Sequence, residues 1–280
     1  MATKITTDST CDLPPEILRR LDITVIPLGI VKADRLYRDG IDISTADIAA
    51  HVEAGGEITT TSAINIGDYH ELFSRLSAQY DAVIHINIGS QFSCCHQNAR
   101  LAAADLPNVF VADSRNLSTG HGLLVLSAAE AAQRGDAPEA ILRRIGEEAA
   151  RVEASFVLDR LDYMSKGGRC SSITALGANL LKLHPCIEVI DGRMSVTRKY
   201  RGSMEKVIGD YIRDRLAGRE DIDTRRAFLV STATPELLSV GREELKKIGI
   251  FDEVLEAAAG CTIFCHCGPN ALGVMFLRKS

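Results

Sequence analysis

Tryptophan is absent from this chain of 280 residues, and aromatic residues make up only 5% of it. Long apolar runs are missing too. Although 46% of the residues are hydrophobic, no uninterrupted stretch approaches the roughly 20 residues of a membrane-spanning helix. The first residues, Met-Ala-Thr-Lys-Ile, contain no apolar signal region. These absences predict a cytoplasmic protein, long enough for one large or two medium-sized domains.

An excess of positive charge is also missing. The 32 Lys and Arg residues are outnumbered by 37 Asp and Glu residues, so the formal net charge is -5. Binding to a nucleic-acid backbone depends on a basic surface, and only a local patch at 193–201 could provide one. The sequence therefore predicts no nucleic-acid partner.

Paired Cys-x-x-Cys motifs are absent among the eight cysteines, and without an export signal we expect reduced thiols. The segment 261–267 contains three cysteines and His266, and it could be imagined as a metal cluster. However, on the short strand expected at Cys265–Cys267, neighbouring side chains would point to opposite faces. The sequence predicts no metal site.

Motifs for nucleotide binding and hydrolysis are missing as well. Gly120-His-Gly122 lacks the third glycine of a dinucleotide-binding fingerprint, and no GxxxxGK(S/T) motif occurs. Ser93, His266 and Asp113 are the residue types of a hydrolase triad, but no GxSxG motif surrounds the serine. The sequence predicts a protein without catalytic residues. An ester or lipid hydrolase that uses Ser93 and His266 is the alternative.

In the first half of the chain, short β-rich runs alternate with helical patterns. The predicted strands are 4–7, 24–31, 82–87 and 109–112. The predicted helices begin near 12–16 and at Ser44, and cover 93–104, 117–134 and 138–152. This alternation is typical of a mainly parallel α/β sheet with helices on its faces, in which ligands bind at the carboxyl ends of the strands.

A different pattern, typical of an α+β domain, follows residue 155. Asp191-Gly192 lies between the β-rich runs 187–190 and 194–198 and predicts a hairpin. The remaining predicted elements are a helix over 203–216, a strand over 227–231, a helix from Thr234-Pro235-Glu236, and strands over 254–258 and 273–277. We therefore expect an N-terminal α/β domain at 1–155 and a C-terminal α+β domain at 156–280.

One short segment, Leu161–Ser171, combines two glycines with two cations. Gly167 and Gly168 permit a tight turn, which Lys166 and Arg169 bracket with positive charge. Such a turn can bind an anion through its backbone N–H groups. It can equally be an ordinary connection with solvated basic residues, and the segment alone favours neither interpretation.

Four segments rich in hydroxyl groups follow strand-like runs in the first half, at 7–10, 59–62, 89–93 and 113–118. In a parallel sheet such segments lie along one edge and can converge. Taken singly, each is better explained as a helix N-cap. Together they predict a polar site, and helix N-termini would favour an anionic ligand there.

Eight motifs in register resemble the DegV family of bacterial fatty-acid-binding proteins over essentially the whole chain. They are Thr7–Thr10 with Asp12–Pro14, Thr61-Ser62, Ser90–Ser93, Asp113-Ser114, Leu161–Tyr163 with Lys166–Arg169, Asp191-Gly192, Arg201-Gly202 and His266–Gly273. The resemblance implies a two-domain DegV-like fold with one long-chain fatty acid, such as palmitate, stearate or oleate, between the domains. It implies no further cofactor.

The resemblance also implies roles for six residues. Thr61, Ser62 and Ser93 match the hydroxyl groups that meet the fatty-acid carboxylate, and His266 matches a histidine near it. Arg169 and Arg201 match basic positions linked to carboxylate handling or to a partner fatty-acid kinase, which converts the carboxylate to an acyl phosphate. A lipid sensor without a kinase is the alternative, and either protein could touch a membrane surface transiently.

The chain departs from the family pattern beside the implied site. Cys94-Cys95 follow Ser93 where the family commonly continues Ser-Gly-Thr. The other departures are Ala63–Asn65 in place of Gln-Pro-Ser, His184 in place of lysine, and Asn270 in place of glycine. Because cysteine in place of glycine removes positive-φ freedom and narrows the loop, we expect it to affect acyl selectivity.

Overall fold

Three sheets organise the chain in a computed structural model that describes residues 2–174 and 183–279. The strands of the first half are β1 Thr3–Asp8, β2 Thr24–Ile26, β3 Gly29–Lys32, β4 Arg35–Arg38, β5 Thr60–Ser62, β6 Ala82–Asn87 and β7 Val109–Asp113. Its helices are α1 Pro15–Arg20, α2 Thr45–Glu53, α3 Ile66–Ser77, α4 Cys95–Ala102, α5 Ser118–Gln133 and α6 Pro138–Ala149.

The first sheet is parallel, in the order β2-β1-β6-β7. Its strand β6 is buried along its whole length, as expected for a sheet covered on both faces. The small second sheet, β4-β3-β5, is antiparallel. The predicted α/β class is confirmed.

The second half builds the largest sheet. Its strands are β8 Val152–Val157, β9 Leu183–Ile190, β10 Arg193–Arg201, β11 Ile222–Ser231, β12 Val254–Ala258 and β13 Leu272–Arg278. Its helices are α7 Asp162–Gly167, α8 Ser171–Thr174, α9 Met204–Leu216, α10 Pro235–Ile248 and α11 Cys261–Cys267. The order β10-β9-β8-β13-β11-β12 is antiparallel except for the β11–β12 pair.

Local turn conformations and helix caps explain where several strands and helices begin or end. Asp191 and Gly192 have φ values of 50° and 75°, the positive values that a two-residue hairpin turn requires. The predicted hairpin between β9 and β10 is therefore confirmed. Ser44 and Asp47 form a reciprocal capping box at the start of α2, which satisfies two N-terminal donors.

Other sequence predictions differ from the structure. The β-rich run 24–31 is two strands, because Pro27-Leu28 separates β2 from β3. Segment 59–62 contains β5, a strand of the antiparallel sheet and not a connection at the edge of the parallel sheet. The cysteine-rich segment at 261–267 is the helix α11, so the strand expected there was wrong.

The two halves share a hydrophobic core. One buried cluster contains Ile84 and Leu124 from the first half and Phe228 and Met275 from the second. Residue 155 lies inside β8, which pairs with β9 and β13 of the largest sheet. The division into domains at 155 therefore stays a prediction. Within the described residues, no helix combines the length and apolar character needed to cross a membrane.

Candidate functional site

A cavity of about 120 Å³ lies where the parallel sheet, the small antiparallel sheet and the largest sheet meet. Its lining residues are Leu28, Thr61, Ala63, Ile88, Phe92, Ser93, Cys94, Leu117, Phe156, Met164, Arg169, Met194, Thr262, Ile263, His266 and Cys267. Four of the six predicted site residues are among them: Thr61, Ser93, Arg169 and His266. The cavity thus brings together residues from distant parts of the chain.

The first polar pair in the cavity joins the two halves. Thr61 Oγ1, on β5, lies 3.1 Å from His266 Nε2, on α11. Burial, with a smaller effect from the Arg169 charge, lowers the pKa of His266 to about 4. The imidazole is therefore neutral at pH 7. Its Nδ1 atom is buried beside Gly167 and has no hydrogen-bond partner among the described residues.

A glycine makes room for this histidine. Gly167, the last residue of α7, packs so closely against the imidazole that a Cβ atom there would overlap His266 Nδ1. The next residue, Gly168, has φ 66° and ends the helix in the left-handed conformation. Gly167 and Gly168 therefore have separate structural roles: one accommodates the imidazole, and the other terminates α7.

Arg169 follows this turn and connects it to the other half. Its Nε donates to the carbonyl of Phe92 at 3.2 Å, and its Nη1 donates to the carbonyl of Gly167 at 2.8 Å. The residue is exposed overall, although its side chain lines the cavity. Arg169 therefore lies at the mouth, where a guanidinium can reach an anionic group.

Ser93 lies in the loop before α4, across the cavity. Its Oγ is 3.1 Å from Cys95 Sγ and accepts a 3.3 Å hydrogen bond from the backbone N–H of Cys95. This hydroxyl group therefore contacts the first residue of α4, and Ser93 also lines the cavity. Cys94, one of the departures from the family pattern, lines the cavity next to it.

Two buried carboxylates hold the start of α11, the helix that contains His266. Asp39 accepts hydrogen bonds from the N–H groups of Cys261 and Thr262 at 2.9 and 3.1 Å, and from the Thr262 hydroxyl at 2.7 Å. Asp12 accepts from the N–H of Gly260 at 2.9 Å.

The sequence did not indicate that Asp12 and Asp39 stabilise the start of α11, because no local pattern relates them to residues more than 200 positions away. Burial raises the pKa of Asp12 to about 8, although a 2.5 Å hydrogen bond from the Ser118 hydroxyl opposes this shift. The orientation of α11 therefore depends on contacts that cross between the halves.

The walls beyond the polar end are apolar. Leu28, Phe156, Met164, Met194 and Ile263 form most of them. A smaller cavity of about 20 Å³ adjoins the first and shares with it four lining residues, Leu117, Phe156, Ile263 and Cys267. It extends towards Val230, Leu272 and Met275 in the largest sheet. No sequence pattern distinguished these residues from ordinary core residues.

Ser62 and Arg201 lie outside the cavity lining. Side chains alternate along a strand, so Thr61 and Ala63 face the cavity and Ser62, between them, does not. Met194 lines the cavity, whereas Arg201 is exposed at the far end of β10, about 23 Å further along the strand. The roles implied for Ser62 and Arg201 stay predictions.

Among the described residues, hydroxyl groups from two of the four hydroxyl-rich segments line the cavity, Thr61 from 59–62 and Ser93 from 89–93. In the first segment, Thr7 and Thr10 are fully buried; Thr7 Oγ1 lies 3.0 Å from His121 Nε2, and Thr10 Oγ1 donates to Asp8 at 2.5 Å. In the last segment, Ser114 donates to the carbonyl of Asn116. These buried hydroxyl groups therefore form hydrogen bonds with partners inside the parallel-sheet half of the chain.

The residues of the hypothetical hydrolase triad make other contacts. His266 Nε2 contacts Thr61, and Ser93 Oγ contacts Cys95. Asp113 accepts from the backbone N–H groups of Ser90 and Arg115 at 3.0 and 2.8 Å. The nucleophile–base–acid chain of hydrogen bonds is not formed by these three residues. Within the described ranges, no group of three or more His, Cys, Asp or Glu residues could hold a metal ion.

Comparisons with known proteins agree over the full length. The family model described as "Uncharacterised protein, DegV family" matches residues 2–279. A DegV domain-containing protein of Clostridium acetobutylicum is 32% identical, with 99% of this chain and 98% of that protein covered. A similarly named protein of Caldanaerobacter subterraneus subsp. tengcongensis is 33% identical, with 98% of each covered.

Two solved structures have the same fold. A DegV family protein from Thermus thermophilus, described for its fatty-acid binding, superimposes with a TM-score of 0.91 at 28% identity, covering 99% of this chain and 100% of that one. DegV from Bacillus subtilis, described as a fatty acid binding protein, has a TM-score of 0.84 at 28% identity, with 100% of both chains covered. Fatty acids are thus the ligands described for those two proteins.

Proposed function

This chain belongs to the DegV family, and from that membership we propose that it binds one long-chain fatty acid without catalysing a reaction itself. The carboxylate would lie at Thr61, Ser93, Arg169 and His266, and the acyl chain would run along the apolar walls. A cytoplasmic location is part of this proposal.

The observation that supports the proposal most strongly is the division of the cavity into two chemical regions. Hydroxyl, imidazole and guanidinium groups gather at one end, around the Thr61–His266 contact. Beyond them the walls are made of Leu, Ile, Met and Phe side chains, and the smaller cavity continues this apolar path. An amphipathic ligand with one anionic group and one apolar chain matches both regions.

The polar end suits a carboxylate because donors reach it from both halves. A buried carboxylate is costly unless several hydrogen bonds replace its water. Thr61 and Ser93 supply hydroxyl groups, and His266 supplies a neutral imidazole whose Nε2 lies beside the Thr61 hydroxyl. Arg169, at the mouth, adds a full positive charge. These groups would offset desolvation and orient the ligand, and contribute little to the net affinity.

The apolar walls would supply most of the binding free energy. Burying about 14 methylene groups at about 0.8 kcal/mol each gives roughly 11 kcal/mol, which is opposed by several kcal/mol of association and chain-ordering cost. Variants of the polar end should therefore weaken binding without abolishing it. Variants of the walls should change the preferred chain length.

Lipid content and thermal stability test the proposal directly. Native mass spectrometry should detect one fatty acid per chain in the purified protein, and denaturing extraction should recover it. After delipidation, palmitate, stearate or oleate at about 100 times its dissociation constant should stabilise the protein by about 2.7 kcal/mol. An absence of lipid in both measurements, together with an unchanged melting temperature, would rule out fatty-acid binding.

A matched pair of neighbouring threonines tests the assigned carboxylate site. Thr61→Ala removes a hydroxyl group that lines the cavity, and should weaken fatty-acid binding by on the order of 1–3 kcal/mol. Thr60→Ala removes an exposed hydroxyl from the adjacent position of β5 and should leave the affinity unchanged. Equal affinities for the two variants would place the carboxylate elsewhere.

We extend the proposal to a partner. The bound carboxylate would be presented to a fatty-acid kinase, which would transfer a phosphoryl group to it and form an acyl phosphate. The open mouth beside Arg169 supports access from outside, and the exposed Arg201 offers a cation for docking. The chain itself would hold and orient the substrate of that reaction.

A further inference from the structure

A second, polar cleft lies at the other end of α5 and β8 from the fatty-acid cavity. It consists of two adjoining cavities of about 170 and 440 Å³. Both are lined by Arg144, Glu148, Asp223 and Arg225. Leu123 and Leu277 form an apolar part of the wall. The cleft therefore lies between α5 and α6 of the first half and β11 and β13 of the second.

Glu148 is the most unusual residue of this cleft. It is only 5% exposed, and its Oε2 atom is buried without a hydrogen-bond partner among the described residues. It also lies in the last turn of α6, where the helix dipole disfavours negative charge and no basic residue is present. A buried carboxylate oxygen without a donor is costly, so this position favours a ligand that supplies one.

Positively charged residues line the same cleft as this carboxylate. Arg144 lies one helical turn before Glu148, and within the described part of the chain it forms no salt bridge. Arg151 lines the larger cavity, and its Nη1 donates to the carbonyl of Arg278 at 3.2 Å. Lys279 also lines the larger cavity.

Other cations of the cleft are already paired. Arg225 forms a salt bridge with Asp223 at 2.6 Å, and Arg226 forms salt bridges with Glu130 and Glu253. Arg144 and Arg151 therefore remain the guanidinium groups best able to bind an external oxyanion.

An irregular stretch of β11 shapes the cleft. The pairing of β11 with β13 shifts register between Ile222 and Ala227, so residues 223–226 leave the regular ladder. Asp223, Thr224, Arg225 and Arg226 within this stretch all line the cleft. Such irregularities redirect side chains and are frequent beside binding sites.

We propose that this cleft binds a small zwitterion, with its oxyanion on Arg144 and Arg151 and its protonated amine on Glu148. An ammonium group supplies the donor that Glu148 Oε2 lacks, and the oxyanion accepts from guanidinium groups without a carboxylate partner. A phosphate or a carboxylate satisfies the oxyanion requirement. The site is separate from the fatty-acid cavity and does not depend on the function proposed for it.

Isothermal titration calorimetry at low ionic strength with four small probes tests this site. Phosphoethanolamine and β-alanine contain both groups, joined by the same two-carbon spacer; inorganic phosphate and ethanolamine each contain one. At least one of the two-ended probes should bind with 1:1 stoichiometry and at least tenfold more tightly than inorganic phosphate or ethanolamine. The stronger of the two identifies the oxyanion as a phosphate or a carboxylate.

Variants of Arg144 and Glu148 test whether these two residues contact the bound probe. Arg144→Gln should weaken the better probe at least tenfold, whereas Arg143→Gln, an exposed neighbour on α6 outside the cleft, should leave it unchanged. Glu148→Gln should reduce the affinity of phosphoethanolamine to that of phosphate, and that of β-alanine at least tenfold. If this variant does not fold, the comparison of probes on the wild-type protein and the Arg144→Gln variant still test the proposal.

Three results would overturn the proposal. The first is that none of the probes binds at millimolar concentration. The second is that inorganic phosphate binds as tightly as phosphoethanolamine while β-alanine does not bind, which would show that Glu148 does not contact an amine. The third is that Arg144→Gln and Arg143→Gln bind the better probe equally, which would place any binding outside the cleft.

Discussion

At the scale of single residues, His266 shows how burial determines chemistry. Its imidazole contacts Thr61 on one side and packs against Gly167 on the other. Desolvation and the nearby Arg169 charge both disfavour the protonated form, so the ring is neutral well below pH 7. A neutral imidazole can donate one hydrogen bond to a carboxylate without adding a second buried charge beside Arg169.

The depressed pKa of His266 makes a testable contribution to stability. In the delipidated protein this contribution is complete above about pH 6.5, where the imidazole is neutral in both folded and unfolded chains. It is lost as the pH falls towards about 4, because only the unfolded chain binds the proton there. Over that interval wild-type protein should lose about 3 kcal/mol more unfolding free energy than His266→Gln.

Urea denaturation at several pH values measures this difference. Both proteins contain the same other buried histidines, such as His85 and His121, so their acid destabilisation cancels in the comparison. Parallel pH profiles for wild type and His266→Gln would contradict the assigned burial effect.

At the scale of elements, the seven-residue helix α11 depends on partners outside itself. A helix this short is only marginally stable alone, and its first N–H groups have no intrahelical acceptor. Asp39, at the end of the small antiparallel sheet, accepts from two of these N–H groups and from the Thr262 hydroxyl. Packing of Phe264 in a cluster with Ile30 and Ile48 adds hydrophobic contact between α11 and that sheet.

Replacement of Asp39 should therefore affect both stability and lipid binding. Asp39→Asn removes charged hydrogen bonds that are each worth roughly 1.5–3 kcal/mol, so we expect the unfolding free energy to fall by about 2–4 kcal/mol. Fatty-acid affinity should fall as well, because α11 positions His266. Asp42→Asn, three residues away in an exposed pair with Arg38, should change neither quantity appreciably.

Chemical denaturation and fatty-acid titration of the same preparations provide both readouts. Indistinguishable unfolding free energies for the two variants would show that Asp39 does not stabilise α11. A destabilised Asp39→Asn protein with unchanged fatty-acid affinity would show that His266 is positioned by other contacts.

At the scale of the whole molecule, both proposed sites lie between the two halves. In the proposed fatty-acid cavity, the polar groups come from β5 and the loop before α4 on one side, and from α11 and the turn after α7 on the other. Arg169 bonds the Phe92 carbonyl across this boundary. Met194, near the start of β10, lines the cavity, whereas Arg201 is exposed at the end of the same strand. The proposed lipid binding and the proposed partner docking should therefore be separable by mutation.

Arg201→Ala should retain the fatty acid but lose acyl-phosphate formation with a fatty-acid kinase from the same organism. The tail-dominated affinity does not involve this exposed side chain, whereas a docking kinase could use its charge. Arg193→Ala removes an exposed charge from the first position of the same strand and should leave both properties unchanged. Lipid content by mass spectrometry and acyl phosphate trapped as a hydroxamate are measured on each preparation.

Unchanged acyl-phosphate formation by Arg201→Ala would exclude its proposed docking role. Loss of lipid from this variant would instead connect Arg201 to the cavity, contrary to its position at the far end of β10. Equal loss of acyl-phosphate formation in Arg193→Ala and Arg201→Ala would point to general electrostatic attraction by the hairpin.

The sequence by itself determined the fold class and many element positions. Buried strands such as β6, the helix starts at Ser44 and Thr234, and the Asp191-Gly192 hairpin were predictable because period, capping and turn chemistry depend on neighbouring residues. Four residues that line the cavity, Thr61, Ser93, Arg169 and His266, could also be singled out through motifs that resemble those of a family. These signals come from residues close together in the sequence, so they can be recognised without a structure.

Only the tertiary structure decided which side chains meet. It separated Thr61 from Ser62 by strand alternation, and made 261–267 a helix because Asp39 and Asp12 satisfy its first donors. It also determined which residues form the cavity walls, Leu28 and Cys267 among them. In the polar cleft, it left the Oε2 atom of Glu148 without a hydrogen-bond donor among the described residues. The residues that form a cavity wall or a hydrogen-bonded pair are far apart in the sequence. The sequence around a Leu or a Glu does not show whether its side chain lies in the core, in a cavity wall or in a cleft. Their roles therefore follow from packing across the two halves, which no local pattern encodes.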